Sequence, residues 1–342
     1  MTFEIHQQKI QPGQKALVRI PVTTGLDGSP LSHAIHVVAG AQPGPTLALT
    51  SVLHGDEWQT VEMVRRVVEG LQPEELSGTV IAVPVANPAA LAGRERNTRG
   101  APDAPDLNRV FPGGDGWFTQ LMAQPLAEKV LARADYLIDL HGRGWGSNAE
   151  QIHVYSDHPD PEVTAKGLEM ARAYGIDLLH VASIAGDMPG PRNCWGYAMS
   201  VLGVPSIMVE IGGLGYGREI EEVWINRGVQ GIHNVMILLG MLSGTMVRSD
   251  RVLEFPTILR VATTVGGYFE PAVDPQPLYR EVTKGQIVGR VISPYTFEVL
   301  ETLVSPVHGL VFLLSRANMV HPGEWGFAVL DFDDPETRWV DL

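Results

Sequence analysis

The chain has 342 residues, of which 44% are hydrophobic, 19% charged and 7% aromatic. These proportions are typical of a globular protein and exclude disordered, collagen-like and disulfide-scaffold classes. The formal net charge of −14 disfavours nucleic acid and anionic membranes as partners. Cys194 is the single cysteine, no apolar run approaches the roughly 20 residues of a membrane span, and residues 1–10 do not resemble a signal peptide. We therefore expect a cytoplasmic location.

Short apolar runs alternate with helical patterns over the first two-thirds of the chain. The runs lack polar alternation, as in strands that are covered on both faces of a sheet. These predicted strands are 46–53, 80–85, 136–140 and 206–211. Apolar residues at three- and four-residue steps predict helices over 58–71, 121–134, 161–174 and 222–242. This order predicts an α/β sheet between layers of helices.

The pattern changes after Met246. Residues 261–342 contain short β-branched runs that are interrupted by glycine and proline, and they show no long helical period. We predict an α/β domain at 1–246 and a small all-β domain at 257–342, with the boundary within 243–256.

The first candidate site is His54-Gly55-Asp56-Glu57, where a predicted buried strand ends and a helix begins. Ligands of open α/β sheets bind beyond the carboxyl ends of the strands, and Gly55 permits a tight turn there. A histidine and a carboxylate three residues apart can reach one metal ion. The motif alone is weak, because His54 and Glu57 can equally be polar loop residues. We assign Asp56 as the N-cap of the following helix.

The second candidate is His141, which ends another apolar strand in the run Asp-Leu-His-Gly at 139–142. By itself it is more simply a hydrogen-bonded histidine at a strand end. Together with His54 and Glu57 it completes a His, Glu, His set that leaves a fourth position for water, as in catalytic zinc sites. The shared position at two strand ends favours the metal site.

The third candidate is Glu210, a carboxylate at the end of an apolar run. Beside a metal and its bound water it could act as general base. The alternatives are a structural ion pair or, because glycines follow, a dinucleotide-binding loop. The glycine spacing does not match that fingerprint, so we discount the loop.

The fourth candidate is the loop 106–113. Arg109 with Asn108 could hold a substrate carboxylate, and Asp106 could fix the tautomer of a ligating histidine. A further arginine could stabilise an oxyanion. The upstream arginines are Arg94, Arg96 and Arg99. For the first two of these, a solvated ion pair is the favoured interpretation.

In chain order, the motifs HGDE, NPAALAG, DLNRVFPG, DLHG and VEIGG resemble the succinylglutamate desuccinylase/aspartoacylase family, which is related to the zinc carboxypeptidases. The resemblance spans about residues 40–242. It implies a three-layer zinc carboxypeptidase-like sandwich with a mixed central sheet. By this resemblance, one zinc ion per subunit would be bound by His54, Glu57 and His141, and Glu210 would be the general base. The substrate-carboxylate clamp would be Asn108 and Arg109. Asp106 would be the residue behind the first histidine.

The family also places an oxyanion arginine upstream of the Asn-Arg pair. Arg99 is the nearest match, and Arg96 is the alternative because the spacing of this loop departs from the family pattern. The length and the tail are most similar to the bacterial branch that includes N-acetyl-diaminobutyrate deacetylase.

The tail at 267–330 resembles the two halves of a biotinyl or lipoyl carrier domain. Where a carrier presents its modified lysine, this chain has 298–302, Glu-Val-Leu-Glu-Thr. We therefore expect a barrel-sandwich hybrid that serves in packing or assembly, or that caps the substrate pocket.

These features predict a zinc-dependent amidohydrolase that deacylates a small N-acyl amino acid or related N-acyl amine with metal-activated water. One alternative is a zinc carboxypeptidase that acts on small peptides through the same centre. The other is a catalytically silent binding protein on the same fold. The expected partner is the small-molecule substrate, and the sequence leaves a homo-oligomer open.

Overall fold

A computed structural model gives the fold of residues 2–25, 27–98, 103, 106–114, 116–144, 147–184, 190–215, 217–273, 279–315 and 319–342, with the backbone alone at 147–149. Its α-helices are α1 (Gln59–Gly70), α2 (Pro88–Gly93), α3 (Phe118–Lys129), α4 (Pro161–Tyr174), α5 (Cys194–Ser200) and α6 (Arg218–Leu238). Short 3-10 helices lie at Pro73–Glu75, Leu107–Arg109, Leu131–Arg133 and Gly190–Arg192.

Strands make up most of the remaining regular structure. In the first part of the chain they are β1 (Phe3–Ile5), β2 (Gln8–Ile10), β3 (Gln14–Thr24), β4 (Pro30–Ala39), β5 (Gln42–Ser51), β6 (Ser77–Val83), β7 (Tyr136–His141), β8 (Ser147–Tyr155), β9 (Leu178–Ala182) and β10 (Ser206–Gly212). The later strands are β11 (Arg251–Phe255), β12 (Leu259–Ala262), β13 (Gly267–Pro271), β14 (Arg280–Val282), β15 (Ile287–Ile292), β16 (Val299–Val304), β17 (Gly309–Ser315), β18 (Met319–Val320), β19 (Trp325–Asp331) and β20 (Arg338–Asp341).

A mixed sheet forms the centre of the molecule. Strands β6, β5, β7 and β10 are parallel neighbours in that order. Antiparallel β4 and β3 extend the sheet beyond β6, and antiparallel β8 extends it beyond β10. Apart from the exposed start of β5, the four parallel strands are mostly buried apolar runs, because helices cover both of their faces.

The two faces of this sheet carry different helices. Thr50 and Asp139 pair on neighbouring parallel strands, so their side chains lie on one face of the sheet. Cys194 Sγ lies 3.7 Å from the Thr50 hydroxyl, so α5 covers this face. Gly167 of α4 packs against Val154, which points to the opposite face from its neighbour His153. Helix α6 contacts both α4 and α1, so these three form one layer.

The four apolar runs overlap β5, β6, β7 and β10, and each of the four helical patterns overlaps an α-helix, although α3 and α6 begin before the predicted starts. The assignment of Asp56 as a helix N-cap is wrong. Helix α1 begins at Gln59, and its N-cap position, Trp58, makes no side-chain capping bond. The Glu57 amide instead donates to the His54 carbonyl at 3.3 Å, which forms a separate turn ahead of the helix and leaves Asp56 outside the first helical turn.

Every regular element that the structure describes after residue 250 is a strand. Some of these strands continue the central sheet, whereas β16, β15, β13 and β18 form a separate four-stranded sheet in that order. Strand β11 pairs in parallel with β9, and β17 pairs with β8 through Leu314 opposite Asn148. The expected boundary segment therefore contains a paired strand. Among the described residues, no helix is both long and apolar enough to cross a membrane.

One buried histidine in the sheet gives a prediction for stability. His33 of β4 is 1% exposed, and its Nε2–H donates to the Met122 carbonyl of α3 at 2.9 Å. Burial lowers the pKa of His33 from its ordinary 6.5 to about 4, although the bond to Met122 opposes the shift. Protonation in acid therefore favours the unfolded chain, in which the pKa is near 6.5.

Glutamine at position 33 keeps an Nε2–H donor for Met122 but does not titrate. In wild type, the contribution of neutral His33 to the free energy of unfolding is complete above pH 6.5 and declines as the pH falls toward 4. At pH 4.5 about 2–3 kcal/mol of it is lost. Urea unfolding of wild type and His33→Gln at pH 7 and 4.5 measures the difference. An equal loss of stability in both proteins would contradict the prediction.

Candidate metal centre

Two neighbouring parallel strands end at one edge of the sheet and supply the centre. Strand β5 ends at Ser51 and leads through His54 to Glu57, just ahead of α1. Strand β7 ends at His141. Because Ser51 lies opposite Leu140, the residues that follow β5 emerge beside the end of β7. The structure therefore brings the three predicted ligands together.

The three side chains face one another and are almost entirely buried. His54 Nδ1 lies 2.7 Å from Glu57 Oε1, and His141 Nδ1 lies 2.9 Å from Glu57 Oε2. One nitrogen or oxygen atom from each residue lies within 4.8 Å of the others. Burial alone would raise the pKa of Glu57, but the two histidines outweigh it and hold the pKa well below its usual range. Glu57 is thus an anionic carboxylate between two imidazoles.

A carboxylate stands behind each histidine. His54 Nε2 lies 3.0 Å from Asp106 Oδ1, and His141 Nε2 lies 3.3 Å from Asp139 Oδ2. The Thr50 hydroxyl donates to the other oxygen of Asp139 at 2.6 Å. Carboxylates accept, so each backing carboxylate favours a proton on Nε2, and with a metal ion at the centre each Nδ1 would offer its lone pair to that ion.

This donor set fits a divalent metal. Two imidazole nitrogens and one carboxylate oxygen, buried and turned toward a common point, are the three-ligand set of catalytic zinc sites. The backing carboxylates raise the basicity of the imidazole ligands. The residues could therefore hold a zinc ion through His54 Nδ1, Glu57 and His141 Nδ1.

Glu210 lies near the carboxyl end of β10, directly beside this centre. Its Cα pairs with that of His141 on the adjacent parallel strand, so both side chains lie on one face of the sheet. Glu210 Oε2 is buried and has no hydrogen-bond partner among the described residues. The nearest cation is Arg143, with Nε 3.6 Å from that oxygen. This carboxylate oxygen is therefore ion-paired with Arg143 but not hydrogen-bonded within the described residues.

The residues predicted to bind the substrate occupy different positions in the structure. Arg109 and Arg96 both line the cavity beside Glu210. Arg96 bonds to Asp106 at 3.0 Å and lies 3.7 Å from Glu57. Asn108 is buried behind His141, where its Oδ1 accepts from the Cys194 amide at 2.7 Å and its Nδ2 lies 3.3 Å from His141 Nε2. Arg99 lies outside the described residues.

A cavity of about 340 Å³ opens over Glu210. One wall comes from the α/β part and includes Arg96, Arg109, Arg143, Gln151, His153 and Met208. The opposite wall comes from the later strands and includes Ile258, Arg260, Phe312, Leu313, Trp325 and Ala328. Arg260 lies 4.8 Å over the Trp325 ring. Arginines therefore dominate the charged lining of the cavity.

Sequence reasoning missed several residues of this site. Asp139 lies two residues before His141 on the same strand face, and a buried carboxylate in an apolar strand was a signal for a partner to that histidine. Arg143 follows the same motif but carries no spacing signal. The later-strand wall, with Arg260 and Trp325, depends on contacts between distant parts of the chain and had no local signal.

Gly55 has a packing role that gives a prediction. A Cβ at this position would overlap the backbone carbonyl of Ala90 in α2. Gly55→Ala should therefore displace the His54 turn, weaken zinc binding and destabilise the fold by about 1–3 kcal/mol. Gly70→Ala is the control, because a Cβ there meets nothing within 4 Å. Zinc titration and thermal unfolding measure both effects, and unchanged zinc affinity in Gly55→Ala would refute the role.

The sequence is similar to a family of known proteins. The sequence model of the succinylglutamate desuccinylase/aspartoacylase catalytic domain matches residues 43–239. The chain is 29% identical over 272 residues to an N-alpha-acetyl-L-2,4-diaminobutyric acid deacetylase from Halomonas elongata, covering 77% of this chain and 74% of the relative. It is 26% identical over 185 residues to a succinylglutamate desuccinylase from Ectopseudomonas mendocina, covering 51% of this chain and 52% of that protein.

Solved structures share the fold. A succinylglutamate desuccinylase/aspartoacylase from Rhodobacter sphaeroides superposes with a TM-score of 0.79 at 25% identity, covering 93% of this chain and 94% of that chain. The expected mixed sheet with flanking helices is confirmed. The similar proteins are named as a deacetylase and a desuccinylase, and the chain is likewise an enzyme that hydrolyses amides. Because the matched domain spans more than half of the sequence, the chain belongs to the succinylglutamate desuccinylase/aspartoacylase family.

Proposed function

We propose that this protein is a cytoplasmic zinc-dependent deacylase of a small N-acyl amino acid or related N-acyl amine, built on a fold related to that of the zinc carboxypeptidases. One observation carries the proposal: His54, Glu57 and His141 converge at the edge of the sheet, beside Glu210 and an arginine-lined cavity. Zinc held by these residues would lower the pKa of a bound water to about 7 and polarise the acyl oxygen.

Glu210 is the proposed general base. Its Oε2 has no hydrogen-bond partner among the described residues and lies on the same sheet face as His141, so it can take a proton from the attacking water. The same carboxylic acid then returns that proton to the nitrogen of the leaving amine. Arg143 Nε lies 3.6 Å from Glu210 Oε2 and forms an ion pair with this carboxylate.

The arginines bind and stabilise negative charge in this scheme. We assign the substrate carboxylate to Arg109, which lines the cavity, whereas its predicted partner Asn108 is bonded to the Cys194 amide behind His141. Arg96 is held by Asp106 and lies 3.7 Å from Glu57, which supports a role in stabilising the charge that develops on the acyl oxygen. Arg99 stays the alternative that the family pattern suggests.

The cavity favours a small substrate over a peptide. Its volume of about 340 Å³ is at the small end of ligand pockets, and the later strands form the wall opposite the α/β part. We therefore assign residues 1–246 to catalysis and 257–342 to an all-β domain that closes the pocket. The chemistry is the hydrolysis of a linear amide to a carboxylate and a free amine.

Substitutions at the centre should separate metal binding from turnover. His54→Ala and His141→Ala should lose zinc. Glu210→Gln should keep zinc but lower kcat by about 10²–10⁴-fold, because it cannot take the proton. Metal analysis and amine release on an N-acetyl amino acid panel measure both, with Glu219→Gln on the exposed start of α6 as the control. Wild-type turnover in Glu210→Gln, or full zinc content in His54→Ala, would refute the scheme.

The carboxylate behind His141 should tune zinc affinity. Asp139→Asn keeps the shape but loses the charge that holds the Nε2 proton, so zinc affinity should fall about 10–100-fold. Competition with a chromophoric chelator measures the affinity, and Asp250→Asn at an exposed position is the control. Equal affinity in wild type and Asp139→Asn would show that Asp139 does not act on the ligand.

A further inference from the structure

Two buried histidines form a chain that ends in the cavity. His153 is 4% exposed and His180 is 0% exposed. Their Nδ1 atoms lie 2.8 Å apart, and His180 Nε2 lies 3.1 Å from the carbonyl oxygen of Pro256. His153 lines the cavity, and its Nε2 is buried with no hydrogen-bond partner among the described residues. Neither histidine has a part in the mechanism above.

The hydrogen bonds determine where the protons lie. A carbonyl can only accept, so His180 carries its proton on Nε2. In the neutral ring His180 Nδ1 is then an acceptor, and His153 must donate to it from Nδ1. His153 Nε2 is therefore left without a proton. The ring that carries this lone pair lines the arginine-rich cavity, and the nitrogen itself is buried.

The surroundings keep His153 neutral. Burial, the neighbouring His180 and the charges of Arg143 and Arg260 hold the pKa of His153 well below its ordinary value. Both arginines line the same cavity and can only donate hydrogen bonds. Among the described residues no group donates to this nitrogen, so a ligand in the cavity could supply the donor.

Strand register places this nitrogen at a distance from the reacting centre. Glu210 on β10 lies opposite Gln151 on β8, and Met208 lies opposite His153. The four side chains share one face and line the cavity. His153 therefore stands two residues, about 7 Å, further along the sheet than the Glu210 row. This separation suits contact with the substrate side chain rather than with the scissile amide.

We propose that His153 is a specificity-determining residue whose Nε2 accepts a hydrogen bond from a neutral hydroxyl or carboxamide on the side chain of the N-acyl amino acid. The proposal rests on the deacylase function proposed above. An ammonium group would be repelled by Arg143 and Arg260, and a carboxylate has no proton to give. A methyl ether or ester of the same length would leave the buried nitrogen unsatisfied.

Matched substrates test this contact. Zinc-loaded wild type should cleave N-acetyl-homoserine with a kcat/KM at least about tenfold higher than that for its O-methyl ether. The same ratio is expected for N-acetyl-glutamine over the γ-methyl ester of N-acetyl-glutamate. In His153→Leu the two kcat/KM values of each pair should differ by no more than about twofold. The change should come from a lower kcat/KM for the substrate with the hydroxyl or carboxamide, with no change for its methylated match. His153→Asn retains an acceptor oxygen and should restore part of the ratio.

The outcomes distinguish this inference from the function on which it rests. A wild type that cleaves N-acyl amino acids without preference for the donor, or a His153→Leu variant that keeps the preference, overturns the role of His153 alone. A zinc-loaded wild type that cleaves no N-acyl amino acid overturns both proposals.

A second measurement does not depend on the variants. Nitrogen-15 NMR of the zinc-loaded wild type should show His153 with a protonated Nδ1 and a bare Nε2. The Nε2 signal should shift on saturation with homoserine, the amine product of the first substrate, and should not shift with its O-methyl ether. The opposite tautomer, or equal shifts with both compounds, would overturn the proposal even if His153→Leu does not fold.

Discussion

The parallel register of β5, β7 and β10 is the constraint on which the site depends. Thr50 pairs with Asp139, and His141 pairs with Glu210, so ligand, backing carboxylate and proposed base stand on one face at one edge. A shift of one residue in β10 would turn Glu210 to the other face. The apolar side chains of these strands, buried under helices on both sides, fix that register.

The central strands were predictable because they are covered on both faces and therefore read as continuous apolar runs. Strands β3 and β4 were missed, since β3 alternates between buried and exposed positions and includes Pro21. Strand β8 was missed for a different reason. Its buried residues include Gln151 and His153, so its burial is not visible as hydrophobicity.

The ligand set was predictable because His54, Glu57 and His141 occupy strand ends that the apolar runs locate. The orientation of neighbouring polar residues was not. Asn108 was expected to face the substrate, yet its Oδ1 accepts from the Cys194 amide, a contact across 86 residues of chain. Arg96 was favoured as a solvated ion pair, and it does pair with Asp106, but at a position that lines the cavity. Such choices depend on tertiary contacts that no local pattern encodes.

The pairing of β8 with β17 has a mechanical consequence. One wall of the cavity includes Gln151 and His153 of β8, and the other includes Phe312 and Leu313 of β17, so a continuous backbone ladder ties the two sides together. Separating them would require breaking main-chain hydrogen bonds rather than rotating about a flexible joint. This pairing therefore limits how far the two walls can separate. Divergence toward new substrates would proceed by exchanging side chains on its walls, at unchanged strand spacing.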